Sequence, residues 1–101
     1  MSVPQWMHVD VKEQVKKNGA LQIIDVREPG EFASGHIPGA KSIPLGQLMD
    51  RYKEIDPTIE SVIVCLSGSR SARACEFLQR VGYRQIHNLM GGMSRWDGDV
   101  E

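Results

Sequence analysis

Two short apolar runs restrict what this chain can fold into. One is Leu21-Gln22-Ile23-Ile24-Asp25-Val26 and the other is Ser61-Val62-Ile63-Val64. Both are shorter than a buried helix needs, and neither alternates cleanly between apolar and polar residues as a strand with one wet face would. A β-branched run such as Val62-Ile63-Val64 suits a central parallel strand covered on both faces. Around these runs the hydrophobic period changes to that of a helix. Strands alternating with helices imply βαβ units, and therefore an α/β domain whose parallel sheet has helices on both faces.

The remaining elements follow from local signals. Val9-Asp10-Val11-Lys12-Glu13 opens a helix, with Asp10 placed to cap it and Glu13 three residues on, as in a capping box. Val11 and Val15 lie one turn apart, and Asn18-Gly19 stops the helix. Pro29 suits the first turn of a short helix reaching Ala33, with Gly35 ending it. His36-Ile37-Pro38-Gly39-Ala40 is an extended connector, because residues before proline avoid the helical region. Lys41-Ser42-Ile43 is a brief strand stopped by Pro44. Leu45, Leu48, Met49 and Tyr52 mark one face of an amphipathic helix. A longer helix is expected from Arg70 to Arg80, closed by Gly82, with Ala74, Cys75, Phe77, Leu78 and Val81 as its apolar face. Gln85-Ile86-His87-Asn88-Leu89 is the last strand, and Met93 to Trp96 form a final short helix after Gly91-Gly92.

The chain of 101 residues is expected to be one domain spanning residues 1–101, with 41% hydrophobic and 25% charged residues, ordinary values for a globular chain. The net charge of −1 excludes the strongly basic footprint of a nucleic-acid-binding domain. No apolar run approaches a membrane span, and Met1-Ser2-Val3-Pro4-Gln5-Trp6 lacks the pattern of a secretory signal. A cytoplasmic location is the expectation. The two cysteines, Cys65 and Cys75, are too few for a disulfide framework and lack the C-x-x-C spacing of a redox or zinc motif. Neither a metal nor another cofactor is expected. Charge is concentrated in one place: Arg70, Arg73, Arg80 and Arg84 face only Glu76 between residues 70 and 84. Such a field favours an anionic ligand or a thiolate.

In an open parallel sheet, sites form beyond the carboxyl ends of the strands. Cys65 stands there, immediately after the Val62-Ile63-Val64 run. Leu66, Ser67, Gly68 and Ser69 then lead into a helix. That arrangement turns backbone N–H groups and the positive helix end toward one point, and Arg70 adds a full charge. These features lower a thiol pKa, and the thiolate is the nucleophile. The loop therefore reads as an activated cysteine with no need of a neighbouring base.

Cys65-Leu66-Ser67-Gly68-Ser69-Arg70-Ser71 resembles the active-site loop of single-domain rhodaneses. Asp25-Val26-Arg27-Glu28-Pro29-Gly30-Glu31-Phe32 is similar to the first signature of that family, and Gly35-His36-Ile37-Pro38-Gly39-Ala40 with Ile43-Pro44 to the connector after it. Leu89-Met90-Gly91-Gly92-Met93-Ser94-Arg95-Trp96 is similar to the closing segment. The four segments occur in the family's order along nearly the whole chain. The resemblance implies a three-layer α/β/α fold with a five-stranded, mostly parallel central sheet. It implies a sulfurtransferase that takes a sulfane sulfur, as from thiosulfate or a persulfide, onto Cys65. The sulfur then passes to a thiophilic acceptor: cyanide, a small thiol or a protein cysteine. The loop donors carried over are Leu66, Ser67, Gly68, Ser69 and Arg70. A protein donor or acceptor of persulfide is an expected partner; nucleic acid and membrane are not.

Four residues separate Cys65 from Arg70. Related cell-division-cycle phosphatases and arsenate reductases carry a loop one residue longer, suited to a tetrahedral oxyanion, so the shorter loop favours a single sulfur atom. Leu66 departs from the basic residue that good thiosulfate users often have there, which implies weak use of thiosulfate. The alternative reading is a non-catalytic module that senses persulfide or binds a protein. Asp25 and Arg27, at the end of the first long strand, are expected to form hydrogen bonds near the loop. Cys75 reads as a buried structural cysteine and His36 as a hydrogen-bonded structural histidine. Gly91-Gly92 is expected to serve close backbone packing, and Trp96 to belong to the core.

Overall fold

The structure, a computed structural model, describes residues 3–101. Its strands are β1 (Gln5–Trp6), β2 (Gln22–Asp25), β3 (Lys41–Ser42), β4 (Ser61–Val64) and β5 (Ile86–Leu89), and its α-helices are α1 (His8–Lys17), α2 (Pro29–Ala33), α3 (Leu48–Arg51) and α4 (Ser69–Arg80). The strands form one five-stranded sheet in the order β1-β5-β4-β2-β3, and every pairing is parallel. Ile24 lies beside Ile63, and Ile63 beside Asn88.

Successive residues of a strand point to opposite faces, and the core divides accordingly. Ile24 and Ile63 pack with Leu48 of α3 and with Ala74, Cys75 and Leu78 of α4. Ile23, Val62 and Val64 pack on the other face with Val11 of α1 and Ile37. Helices therefore cover both faces, and all four residues of β4 are buried. Truncating one such residue, for example Ile63→Ala, should cost about 2–5 kcal/mol. No helix among the described residues is long and apolar enough to cross a membrane.

The fifth strand is Gln5–Trp6, a segment without strand periodicity of its own. It adds to the sheet edge through backbone pairing with Asn88 and Leu89. Asp10 is not the cap of α1. The helix begins at His8, and the Asp10 carboxylate reaches back from the third position to accept the Met7 N–H at 2.7 Å. Val15 is half-exposed and Met49 is 74% exposed, so neither belongs to the core. For Met49 the reason is a tight 3₁₀ turn over Leu45–Gln47 before α3. Three residues per turn align Leu45 with Leu48 and swing Met49 outward. Val81 also leaves the expected apolar face, because α4 ends at Arg80. Gly82, with φ of +104°, reverses the chain so that Tyr83 N–H bonds Leu78 C=O and Gly82 N–H bonds Gln79 C=O. This is a Schellman closure, and it needs the left-handed conformation that glycine supplies cheaply.

The connection leaving β2 runs to one side of the sheet and the connection leaving β4 runs to the other. The carboxyl ends of β4 and β2 thus flank the switch point where α/β sheets place ligands. Cys65 follows β4 at that position.

Candidate active site

Four backbone constraints shape the loop after β4. Gly68, with φ of +101°, precedes the first residue of α4 and turns its N–H onto Cys65 Sγ at 3.0 Å. A β-carbon at Gly68 would press on the Gly91 backbone nitrogen at 3.3 Å. From the opposite side, Met93 N–H bonds Cys65 C=O at 2.8 Å and Ser94 N–H bonds Leu66 C=O at 2.9 Å. Gly92 makes that approach possible, since any β-carbon there would strike the same two carbonyl oxygens. The expected role of Gly91-Gly92 in close backbone packing is observed as a clamp on the loop.

Cys65 is fully buried. Burial pushes its thiol pKa up, but the Ser71 hydroxyl and the N–H groups of Ser71, Gly68 and Ser67 outweigh that and leave it below the ordinary value. Ser71 Oγ lies 3.2 Å from Sγ and also bonds Asn88 Oδ1. Asn88 Nδ2 donates to Gly68 C=O at 3.2 Å and to Gln5 Oε1 at 2.9 Å. A polar chain thus runs from the edge strand through Asn88 and Ser71 to the sulfur.

The sequence motif includes Ser71 without a role of its own, and nothing in it points to Asn88 or Gln5. A signal for two of them was present. Ser71, Ala74, Cys75 and Leu78 fall at i, i+3, i+4 and i+7, so Ser71 is a polar residue on the buried stripe of α4. Asn88 shares the inward face of its strand with Ile86. Buried polar groups need partners, and these two find each other.

Arg70 has a partner that spacing could not show. Its guanidinium grips the Glu31 carboxylate of α2 at 2.8 and 3.0 Å. That bond, with the Glu28 N–H, pulls the Glu31 pKa down to about 2. Leu66 and Ser67 are exposed, and the Ser67 and Ser69 hydroxyls lie 3.2 Å apart.

Asp25 and Arg27 are buried and bond each other, with Arg27 Nη2 2.7 Å from Asp25 Oδ2. Arg27 also donates to Gly35 C=O at 2.7 Å. Among the described residues, neither bonds the cysteine loop; together they tie the end of β2 to the connector after α2. His36 stacks on Phe32 with ring centres 3.8 Å apart, and its Nδ1 lies 2.9 Å from Phe32 C=O. Trp96 packs beside the second core cluster. Cys75 sits within the apolar face of α4, and burial pushes its thiol up to about 12.

Comparison with known proteins agrees with this arrangement. Residues 7–99 match the model of the rhodanese-like domain family. YqhL of Bacillus subtilis, an uncharacterised protein, is 45% identical over 80 residues, 79% of this chain and 64% of YqhL. This chain therefore spans just under two-thirds of that relative. YtwF of the same organism, provisionally named a sulfurtransferase, is 34% identical over 101 residues, the whole of this chain and 97% of YtwF. A sulfurtransferase of Allochromatium vinosum is 40% identical over 74 residues, 73% of this chain and 69% of that one. A rhodanese-like domain protein of Staphylococcus aureus superposes with a TM-score of 0.87 at 34% identity, covering 100% of this chain and 97% of that structure. By the span of the family match and by this full-length likeness, the chain belongs to the rhodanese-like domain family.

Proposed function

We propose that the chain is a sulfurtransferase that carries sulfane sulfur on Cys65 as a persulfide. The observation that supports this most is the set of polar groups at Sγ: the Gly68 N–H, which donates at 3.0 Å, and the Ser71 hydroxyl, 3.2 Å away. They favour the thiolate over the thiol and leave the Cys65 pKa below its ordinary value. The thiolate attacks the outer sulfur of a sulfane donor such as thiosulfate. A new S–S bond forms, the donor's S–S bond breaks, and sulfite leaves with the electron pair. A thiophilic acceptor then attacks the outer sulfur of the persulfide, and the Cys65 thiolate departs. The same donors stabilise Cys65 in both steps, as nucleophile and as leaving group.

The loop, with four residues between Cys65 and Arg70, is one residue shorter than that of the related phosphatases and arsenate reductases, which favours sulfur over a phosphoryl or arsenate group. Aryl phosphates and arsenate should therefore not turn over. The test is mass spectrometry of the protein after thiosulfate, polysulfide or a cysteine-desulfurase system. A gain of one sulfur atom on Cys65, removed by cyanide as thiocyanate, is expected. No gain from any of the three donors would end this reading.

A further inference from the structure

The loop mouth lacks a cation at Leu66, and the charge of Arg70 is engaged by Glu31. A positive group nevertheless reaches this place from elsewhere in the chain. A depression of about 450 Å³ opens beside the loop, and its lining includes His8, Ser67, Met90, Gly91, Ser94 and Arg95.

Arg95 is directed there by the clamp described above. Ser94 N–H is fastened to Leu66 C=O at 2.9 Å, which fixes the backbone one residue before Arg95. The arginine stem then lies against Gly91. A β-carbon at Gly91 would meet Arg95 Cδ at 2.6 Å and Cγ at 3.0 Å. Arg95 has no ion pair among the described residues, and no carboxylate lines the depression. Of the carboxylates in flanking segments, Asp10 accepts the Met7 N–H and Asp97 pairs with Lys12. The depression therefore presents one guanidinium without an ion pair, the His8 ring, the Ser67 hydroxyl and the Ser94 hydroxyl, which donates to Gly91 C=O, and no acid. A guanidinium with neighbouring hydroxyls suits an oxoanion.

We propose that Arg95 selects anionic reactants at Cys65 by holding the charged end of a small sulfur compound, a sulfonate or a carboxylate, in this depression. It supplies from the closing segment the positive charge that Leu66 withholds from the loop. The inference deepens the sulfurtransferase reading and rests on it for the identity of the ligand, but its test does not need turnover.

That test compares alkylation of Cys65 by iodoacetate, an anion, and by iodoacetamide, its neutral counterpart. Cys75, with its thiol pushed up to about 12, leaves Cys65 as the reacting thiol, which peptide mapping confirms site by site. In Arg95→Gln the ratio of iodoacetate to iodoacetamide rates should fall about three- to tenfold, the scale of one charge near a wet site. Arg95→Lys should keep most of the ratio and Arg95→Glu should lower it furthest. Added salt should lower the ratio in the parent protein and move it little in Arg95→Gln. An unchanged ratio in both Arg95→Gln and Arg95→Glu would overturn the proposal. So would an equal loss with both reagents, which reports a disturbed loop instead of a lost charge. In turnover, Arg95→Gln should raise KM for thiosulfate more than it lowers kcat. If the alkylation ratio falls as expected while the parent protein forms no persulfide from any donor, Arg95 keeps its role and the sulfurtransferase reading fails.

Discussion

Cys65 and Cys75 differ in chemistry although they are equally buried. Both have no exposed surface, and both belong to the same core cluster. Yet Cys65 has its thiol pulled below the ordinary value, whereas Cys75 is pushed up to about 12. Burial acts on both in the same direction. What differs is the supply of donors. Cys65 precedes α4, where the first N–H groups of a helix have no carbonyl partner. Cys75 lies within α4, one turn beyond the groups that serve Cys65. Seclusion from water disfavours the thiolate, and here hydrogen-bond donors reverse that at Cys65.

The largest effect should come from the nucleophile itself. Cys65→Ser should lower thiocyanate formation by about 10⁴-fold or more, as loss of a covalent nucleophile does elsewhere. Next comes the hydroxyl that separates the two environments. Ser71→Ala removes the largest favourable influence on the Cys65 thiolate. A hydrogen bond to a charged group contributes about 1.5–3 kcal/mol, or one to two pH units. The alkylation rate plotted against pH should shift upward by that much. Asn88→Ala should give a smaller shift in the opposite direction, because the Ser71 proton now donated to Asn88 Oδ1 is freed for the sulfur. Since Ser71 has one proton and two acceptors, Asn88→Ala should add almost nothing once Ser71 is alanine. Independent, additive shifts would refute the chain from Asn88 to the sulfur.

How much of this contrast was legible in the sequence depends on the range of the signal. The strands β2 and β4, the helix α4 and the place of Cys65 follow from local periodicity and turn chemistry. So does the buried position of Cys75, one of four residues on a buried stripe. The edge strand Gln5–Trp6 does not, because two residues have no period and pair only once β5 exists. The Arg70–Glu31 bond joins residues 39 positions apart, so no local rule contains it. Asp25 and Arg27 are expected to bond near the cysteine loop, whereas their bonds run to each other and to Gly35, a direction set by tertiary packing.

Arg70→Ala should therefore affect the fold more than the thiol. Its shift of the Cys65 alkylation midpoint should be smaller than that of Ser71→Ala, because the guanidinium is engaged by Glu31. Its effect on stability has a defined pH dependence. The Glu31 carboxyl is held near 2 in the folded protein against an ordinary 4.5, so the ion pair stabilises the fold fully above 4.5. That contribution is lost as pH falls through about 2. Both partners are about a third exposed, which limits the effect to about 1 kcal/mol or less. Urea midpoints for Arg70→Ala and the parent protein should differ at pH 7 and converge near pH 2.

The smallest effect on activity should come from Cys75, whose clearest signature is in stability. Below about 12 the Cys75 thiol stays neutral, so it imposes no charge on Cys65. Cys75→Ala should then leave the Cys65 alkylation midpoint in place and retain sulfur transfer, at a stability cost of about 1 kcal/mol for the lost packing. A resolving cysteine would behave otherwise, and a large loss of activity in this variant would assign Cys75 that role. The two thiols should also tilt the stability curve in opposite directions. Cys65 ionises more readily folded than unfolded, so its contribution grows as pH rises toward the ordinary thiol value of 9.0. Cys75 ionises less readily folded, so between 9.0 and about 12 the unfolded chain releases a proton that the fold retains, and stability falls. Titrating the urea midpoint through the alkaline range should show a steeper decline in the parent protein than in Cys75→Ala. Parallel curves would mean that Cys75 ionises as a free thiol does, and the contrast between the two cysteines would collapse to one of position alone.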